Sequence, residues 1–247
     1  MMKLGILLCD DHYPDSIPTY GHYDDAFKRM LHGSAISCYE TYRCFEQHYP
    51  KHPDECDIWI VTGSKWGVYD NEPWIGAVSK FVQQCHAQRR PLIGVCFGHQ
   101  LIHHALGGKV AKSDKGWGMG VYPIENLKHD QYGFTQSEAP DALNLIACHQ
   151  DQVQEPAPAF SVIAGSDFCP IAITAKDQHV LTMQCHPEFT PDFLIQLIER
   201  LRDKAGDDTV DQAIASIKQF GGGDRDLVIS ALHQFIAQQN QSASSSH

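Results

Sequence analysis

Residues 94–98 read Gly-Val-Cys-Phe-Gly, with the apolar run Pro91-Leu92-Ile93 before them and a helix-like Leu101-Ile102-His103-His104-Ala105-Leu106 after them. A strand, a sharp turn carrying one cysteine and then a helix is the layout of a nucleophile elbow. Glycines two residues to either side of Cys96 leave space for a strained backbone, because neighbouring side chains must be absent there. At a helix start, the macrodipole and the free N–H groups favour a thiolate and an adjacent oxyanion. The competing reading is a buried strand-end cysteine in an ordinary glycine-rich loop. A second element bears on the choice. Gln184-Cys185-His186-Pro187-Glu188-Phe189 follows a strand-like run over 179–183. Pro187 has a fixed φ and pushes His186 towards an extended conformation. That brings Glu188 back onto one imidazole nitrogen while the other faces a cleft. A thiol nucleophile needs such a base, and the base needs an orienting group. His-x-Glu alone is more often a surface pair; combined with an elbow cysteine it is a rarer coincidence.

Four segments, in chain order, resemble the class I glutamine amidotransferases: Thr62-Gly63-Ser64, Gly94-Val95-Cys96-Phe97-Gly98-His99-Gln100, Cys148-His149-Gln150-Asp151-Gln152-Val153 and His186-Pro187-Glu188. The resemblance covers roughly residues 3–200. Thr62-Gly63-Ser64 followed by Tyr69-Asp70-Asn71-Glu72-Pro73-Trp74 is most similar to the free-standing branch, which holds GMP-synthetase-like amidotransferases and γ-glutamyl peptidases. The resemblance implies a flavodoxin-like, three-layer α/β fold with a mostly parallel central sheet and an antiparallel section. It implies Cys96 as nucleophile, His186 as base and Glu188 as its orienting carboxylate. The backbone N–H groups of Gly63 and Phe97 would form the oxyanion hole, although Gly63 also reads as a plain turn. Gln100, His149, Gln150 and Asp151 would bind the substrate's amino-acid end; the plainer reading of Gln100 is a solvated helix residue. Trp66, Tyr69 and Trp117 either shape the pocket mouth or simply pack. Two departures bear on substrate preference: Cys148, where many members carry a small residue or serine, and Cys185, where an aromatic is common.

The implied substrate is glutamine or a small γ-glutamyl compound, with no cofactor and no metal. Three function classes stay open: an amidotransferase feeding ammonia to a separate synthetase subunit, a self-sufficient γ-glutamyl peptidase, and a non-enzymatic binding protein on the same fold. The complete Cys96, His186 and Glu188 set argues against the third. No Gly-x-x-x-x-Gly-Lys-Ser/Thr loop is present, so an acceptor-activating synthetase would be another chain.

Composition narrows the partners. Of 247 residues, 19 are Lys or Arg and 30 are Asp or Glu, a formal net charge of −11. With no basic run beyond Arg89-Arg90, a nucleic-acid partner is not expected. The nine cysteines include no Cys-x-x-Cys pair, which fits buried thiols in a reducing compartment. Met1-Met2-Lys3 leads straight into a short apolar strand, and no run approaches ~18 apolar residues, so neither a signal peptide nor a membrane span is expected and the reading is cytoplasmic. Fifteen histidines invite a metal, but no His-Glu-x-x-His and no Cys/His quartet with zinc spacing occurs. His99, His103 and His104 therefore read as packing or surface residues.

The elements that must position these groups follow from periodicity. Strands are predicted near 3–9, 36–43, 57–62, 91–95, 119–125, 144–148, 161–165, 169–174 and 179–184, alternating early on with helices as in a covered parallel sheet. A helix is predicted over 73–88, entered at Pro73, with Trp74, Val78, Phe81, Val82 and Cys85 on its apolar face. The helix after the elbow should end at Gly107-Gly108, and another should run from Thr190 to about Lys204. The expected partition is a catalytic domain over 1–205 and a helical extension over 206–247. In the extension, helices over 208–219 and 224–239 flank Gly221-Gly222-Gly223, the chain is disordered from Gln241, and the helices pack on the core or form a homodimer contact.

Overall fold

A computed structural model describes residues 2–126 and 142–244. Strands β1 (Met2–Leu8), β2 (Ile36–Arg43), β3 (Ile58–Val61), β4 (Leu92–Val95) and β11 (Val180–Met183) form a parallel section in the order β2-β1-β3-β4-β11. Beyond β11 the same sheet continues antiparallel through β10 (Ile173–Lys176), β9 (Ser161–Gly165), β6 (Gly118–Asn126) and β7 (Ala142–His149). A separate two-stranded ribbon pairs β5 (Lys109–Lys112) with β8 (Asp151–Glu155).

Alternation along the strands splits the core into two layers. Leu4, Ile6, Leu8, Ile58 and Ile60 face one side, packed with α2 (Tyr23–Met30), α5 (Pro191–Glu199), α7 (Asp207–Phe220) and α8 (Arg225–Ser244). Leu7, Cys9, Trp59 and Val61 face the other, against α3 (Pro73–Ala87) and α4 (Phe97–Ala105). Side chains of successive residues point to opposite faces of a strand, so a fully buried sheet needs apolar residues at both parities. The three-layer expectation holds.

The differences have local causes. The helix expected over 190–204 breaks after Glu199, and the short α6 (Arg202–Ala205) follows. The strand read at 169–174 begins only at Ile173, because Ser166 and Cys169 close a turn by two hydrogen bonds. Helix α2, the four-residue α1 (Ile17–Tyr20) and the β5–β8 ribbon were not anticipated. Helix α8 continues through Ser244, past the start of the expected disorder, while residues 245–247 and the 127–141 segment lie outside the described residues.

Candidate active site

The parallel strands deliver three loops to one end of the sheet, the carboxyl ends where open α/β folds bind ligands. Gly63 follows β3, Cys96 follows β4 and the Gln184–Glu188 turn follows β11. Cys96 sits at φ 51° and ψ −105°, a left-handed conformation rare for a non-glycine residue. Such strain costs on the order of 1–3 kcal/mol and persists only where surroundings impose it. They do so here. A Cβ on Gly98 would lie 2.0 Å from the Val61 carbonyl oxygen, and one on Gly94 would lie 2.7 Å from the Gly98 oxygen. Helix α4 thus presses onto β3 and β4 only because both glycines lack side chains. Cys96 N–H donates to Met183 O at 2.8 Å, fixing the elbow against β11.

His186 is aimed from both ends. Its backbone N–H donates to Ile146 O of β7 at 2.9 Å, so the antiparallel section curls back to hold the turn. Its Nδ1 meets Glu188 Oε1 at 2.7 Å, Phe189 stacks on the ring at 4.2 Å, and Cys96 neighbours the ring closely enough to shift its titration. Cys96, His186 and Glu188 are all buried. Burial alone would discharge the imidazole. The charge at Cys96, then that at Glu188, with hydrogen bonds to both, outweighs it and lifts the His186 pKa to about 10.

Of the expected oxyanion donors, Phe97 is the first residue of α4, so its N–H has no helical acceptor. Gly63 lies against the base: a Cβ there would come 2.5 Å from Tyr23 Oη and 3.1 Å from His186 Cε1. The Gly63 carbonyl accepts from Thr62 Oγ1 at 3.1 Å. Gln100 is buried rather than solvated. Its amide nitrogen donates to Asp151 O at 2.8 Å and to Gln184 Oε1 at 3.1 Å, and Gln184 Nε2 in turn reaches Cys96 Sγ at 3.5 Å. His149 is held between Tyr122 Oη at 2.7 Å and Asp151 O at 3.2 Å. Burial, then the neighbouring His186 charge, pushes its pKa down to about 3, so it stays neutral. Gln150 O accepts from Ser113 N–H at 2.9 Å. The Asp151 carboxylate accepts from Tyr69 Oη at 2.8 Å, and burial raises its pKa. Trp117 lines a cavity of about 450 Å³ with Met119, Tyr122 and Phe168. Cys148 and Cys185 flank the site, and burial holds both thiols well above the ordinary range.

The family description "Glutamine amidotransferase class-I" matches residues 36–194, more than half the chain. This protein belongs to the class I glutamine amidotransferase family. Gamma-glutamyl peptidase 2 of Arabidopsis thaliana is 29% identical over 209 residues, 81% of this chain and 82% of that protein. The GMP synthase of Fusobacterium nucleatum is 37% identical over 101 residues, but these are 40% of this chain and 19% of the synthase. A crystal structure of a glutamine amidotransferase from Methylobacillus flagellatus superposes with a TM-score of 0.72 at 18% identity, covering 96% of this chain and 94% of that one.

Three residues of the site escaped sequence reasoning. Tyr23 Oη donates to Glu188 Oε1 at 2.7 Å, the same oxygen that meets His186. Burial and then the Glu188 charge hold the Tyr23 phenol protonated, hence a permanent donor. The only hint was the helical spacing of Tyr23, Phe27 and Met30. Gln184 stood beside the motif but carried no signature of its own. Arg225 donates through Nε to Pro187 O at 3.0 Å from the far end of the chain.

The elbow-helix histidines prove to be packing residues. Ala157 N–H donates to His103 Nδ1, so His103 Nε2–H faces Thr174 Oγ1 at 2.9 Å. Thr174 and Thr182 hydroxyls meet at 2.7 Å, Thr182 meets His99 Nδ1, and His99 Nε2–H ends on Ile171 O. This ordered chain pins α4 to β10 and β11, and burial pushes His103 down to about 3. His104 is exposed. Among the described residues no three metal-ligating side chains cluster, and no helix is long and apolar enough to cross a membrane.

Proposed function

We propose that this protein hydrolyses the γ-glutamyl bond of glutamine or a small γ-glutamyl compound through a thioester on Cys96. The carrying observation is geometric: the strained elbow residue Cys96 and the His186–Glu188 pair, joined at 2.7 Å, are all buried at one end of the sheet. The Cys96 thiolate attacks the γ-carbonyl, and the oxyanion forms against the N–H groups of Phe97 and Gly63. Collapse breaks the C–N bond as His186 gives its proton to the leaving amine. His186 then takes a proton from water, whose oxygen attacks the thioester carbonyl and releases glutamate and Cys96. One lost oxyanion donor would raise the barrier by roughly 3–4 kcal/mol. Glu188, with Tyr23 on its shared oxygen, keeps the ring oriented throughout. Gln100 and the 149–151 segment border the substrate's amino-acid end; Gln100 acts by holding the Asp151 backbone.

Within this reading we favour a self-sufficient γ-glutamyl peptidase. The chain aligns with four-fifths of a γ-glutamyl peptidase but with under a fifth of a GMP synthase. The test is a panel of glutamine, glutathione and γ-glutamyl dipeptides incubated with the purified chain, with glutamate and ammonia measured. Glutamate release from at least one γ-glutamyl compound is expected without any partner. Turnover of glutamine alone, and only on adding a synthetase, would support the ammonia-delivering alternative instead.

A further inference from the structure

β7 ends the sheet, and its free edge is covered by two unrelated segments. One is the catalytic turn, where His186 N–H bonds Ile146 O. The other is the loop between α7 and α8: Asp224 N–H donates to Asn144 O and Asn144 N–H donates to Asp224 Oδ2, each at 2.7 Å. Asn144 and Ile146 share a parity, so both present their backbone groups to the edge that β6 leaves open. Gly223 makes the fit, since at φ +59° its Cβ would lie 2.0 Å from Asn144 O. Arg225 then links the two segments by donating from Nε to Pro187 O at 3.0 Å, inside the His186-Pro187-Glu188 turn. Behind it, α8 buries Val228, Leu232, Phe235 and Ile236 in the cluster that holds Tyr23 and Phe189, and His233 Nε2 lies 3.2 Å from Met30 O at the end of α2. All these residues of the extension lie outside the matched family segment.

We propose that Arg225, seated by the α7–α8 loop, is a positioning residue for the reaction: it fixes the Pro187 peptide so that the His186 ring meets both Cys96 and Glu188. The inference rests on the proposed Cys96–His186 chemistry. Pro187 offers the carbonyl as an acceptor and has no N–H, so this bond anchors the turn between its two functional residues. Misplacement of a catalytic group by about 1 Å can cost on the order of 100-fold, so partial loosening should cost about tenfold.

The test compares Arg225→Met, Arg225→Gln and Arg225→Lys in the full chain, reading kcat, KM, melting temperature and the rate at which iodoacetamide alkylates the Cys96 peptide at pH 7. The Met variant should lose about tenfold in kcat and in Cys96 alkylation with KM unchanged. The Lys variant, which keeps a long-armed donor, should recover most of both. Arg225→Gln is too short to reach Pro187 and reports the same loss if the Met variant fails to fold. Wild-type kcat and alkylation in a folded Met or Gln variant would overturn the proposal. So would a Lys variant as impaired as the others, or losses that merely follow melting temperature. If the wild-type chain turns over no γ-glutamyl compound, the functional reading fails, yet the alkylation comparison still decides the positioning role.

Discussion

At the scale of single residues, the site is a chain of buried polar groups joined by assignable hydrogen bonds. Cys96→Ala removes the nucleophile while leaving its small buried niche, so the fold should survive and hydrolysis should drop by up to about 10⁶-fold; near wild-type turnover by the purified variant would refute the assignment. Tyr23→Phe deletes one hydrogen bond to a charged carboxylate, worth roughly 1.5–3 kcal/mol. It should lower kcat about tenfold or more with little change in KM, and an unchanged kcat would reduce Tyr23 to a packing residue. The pH dependence has a definite sign. The His186 pKa in the fold, about 10, stands above its ordinary value of 6.5. The stabilisation of the charged ring is therefore complete below about 6.5 and is lost as pH rises through about 10. Because the protonated ring serves the leaving amine, the alkaline limb of kcat/KM should fall near pH 10. A limb near pH 7 would contradict the raised His186 pKa.

At the scale of elements, the elbow depends on what glycine omits. Gly98→Ala would drive a methyl to 2.0 Å from the Val61 carbonyl and push α4 off the sheet. Loss of more than about 3 kcal/mol of stability or outright failure to fold is expected, read by denaturant midpoint. A folded, fully active Ala variant would show that the contact yields. This elbow was legible in the sequence because its rule is local: two glycines around a cysteine between a strand and a helix. Strands β1, β3, β4 and β11 were legible for a similar reason, since short runs rich in Ile, Leu and Val admit little else. Tyr23 was not, because its role depends on α2 landing over a carboxylate far along the chain. The plainer reading of Gln100 as a solvated residue fails, because a helix position shows amphipathic spacing but not the buried carbonyl at Asp151 that takes its amide. The start of β10 shifted to Ile173 because Ser166 and Cys169 close a turn before it, which periodicity does not resolve.

At the scale of the whole molecule, α7 and α8 share the core with the sheet: Ile217, Val228 and Leu232 are buried in one cluster with Val121, Leu143 and Phe189. We expect the chain to unfold as one unit. Leu232→Ala should cost about 2–5 kcal/mol and lower a single melting transition, whereas a transition that splits in two would make the extension an independent module. The central claim is that Cys96 carries the glutamyl group during turnover. Rapid acid quench of the working enzyme with a γ-glutamyl substrate, followed by mass spectrometry of the peptide holding Cys96, tests it most directly. An added γ-glutamyl acyl group is expected on Cys96, removable by hydroxylamine and missing in Cys96→Ala. Steady hydrolysis with that peptide unmodified under quench, or with the acyl group on another of the nine cysteines, would contradict it.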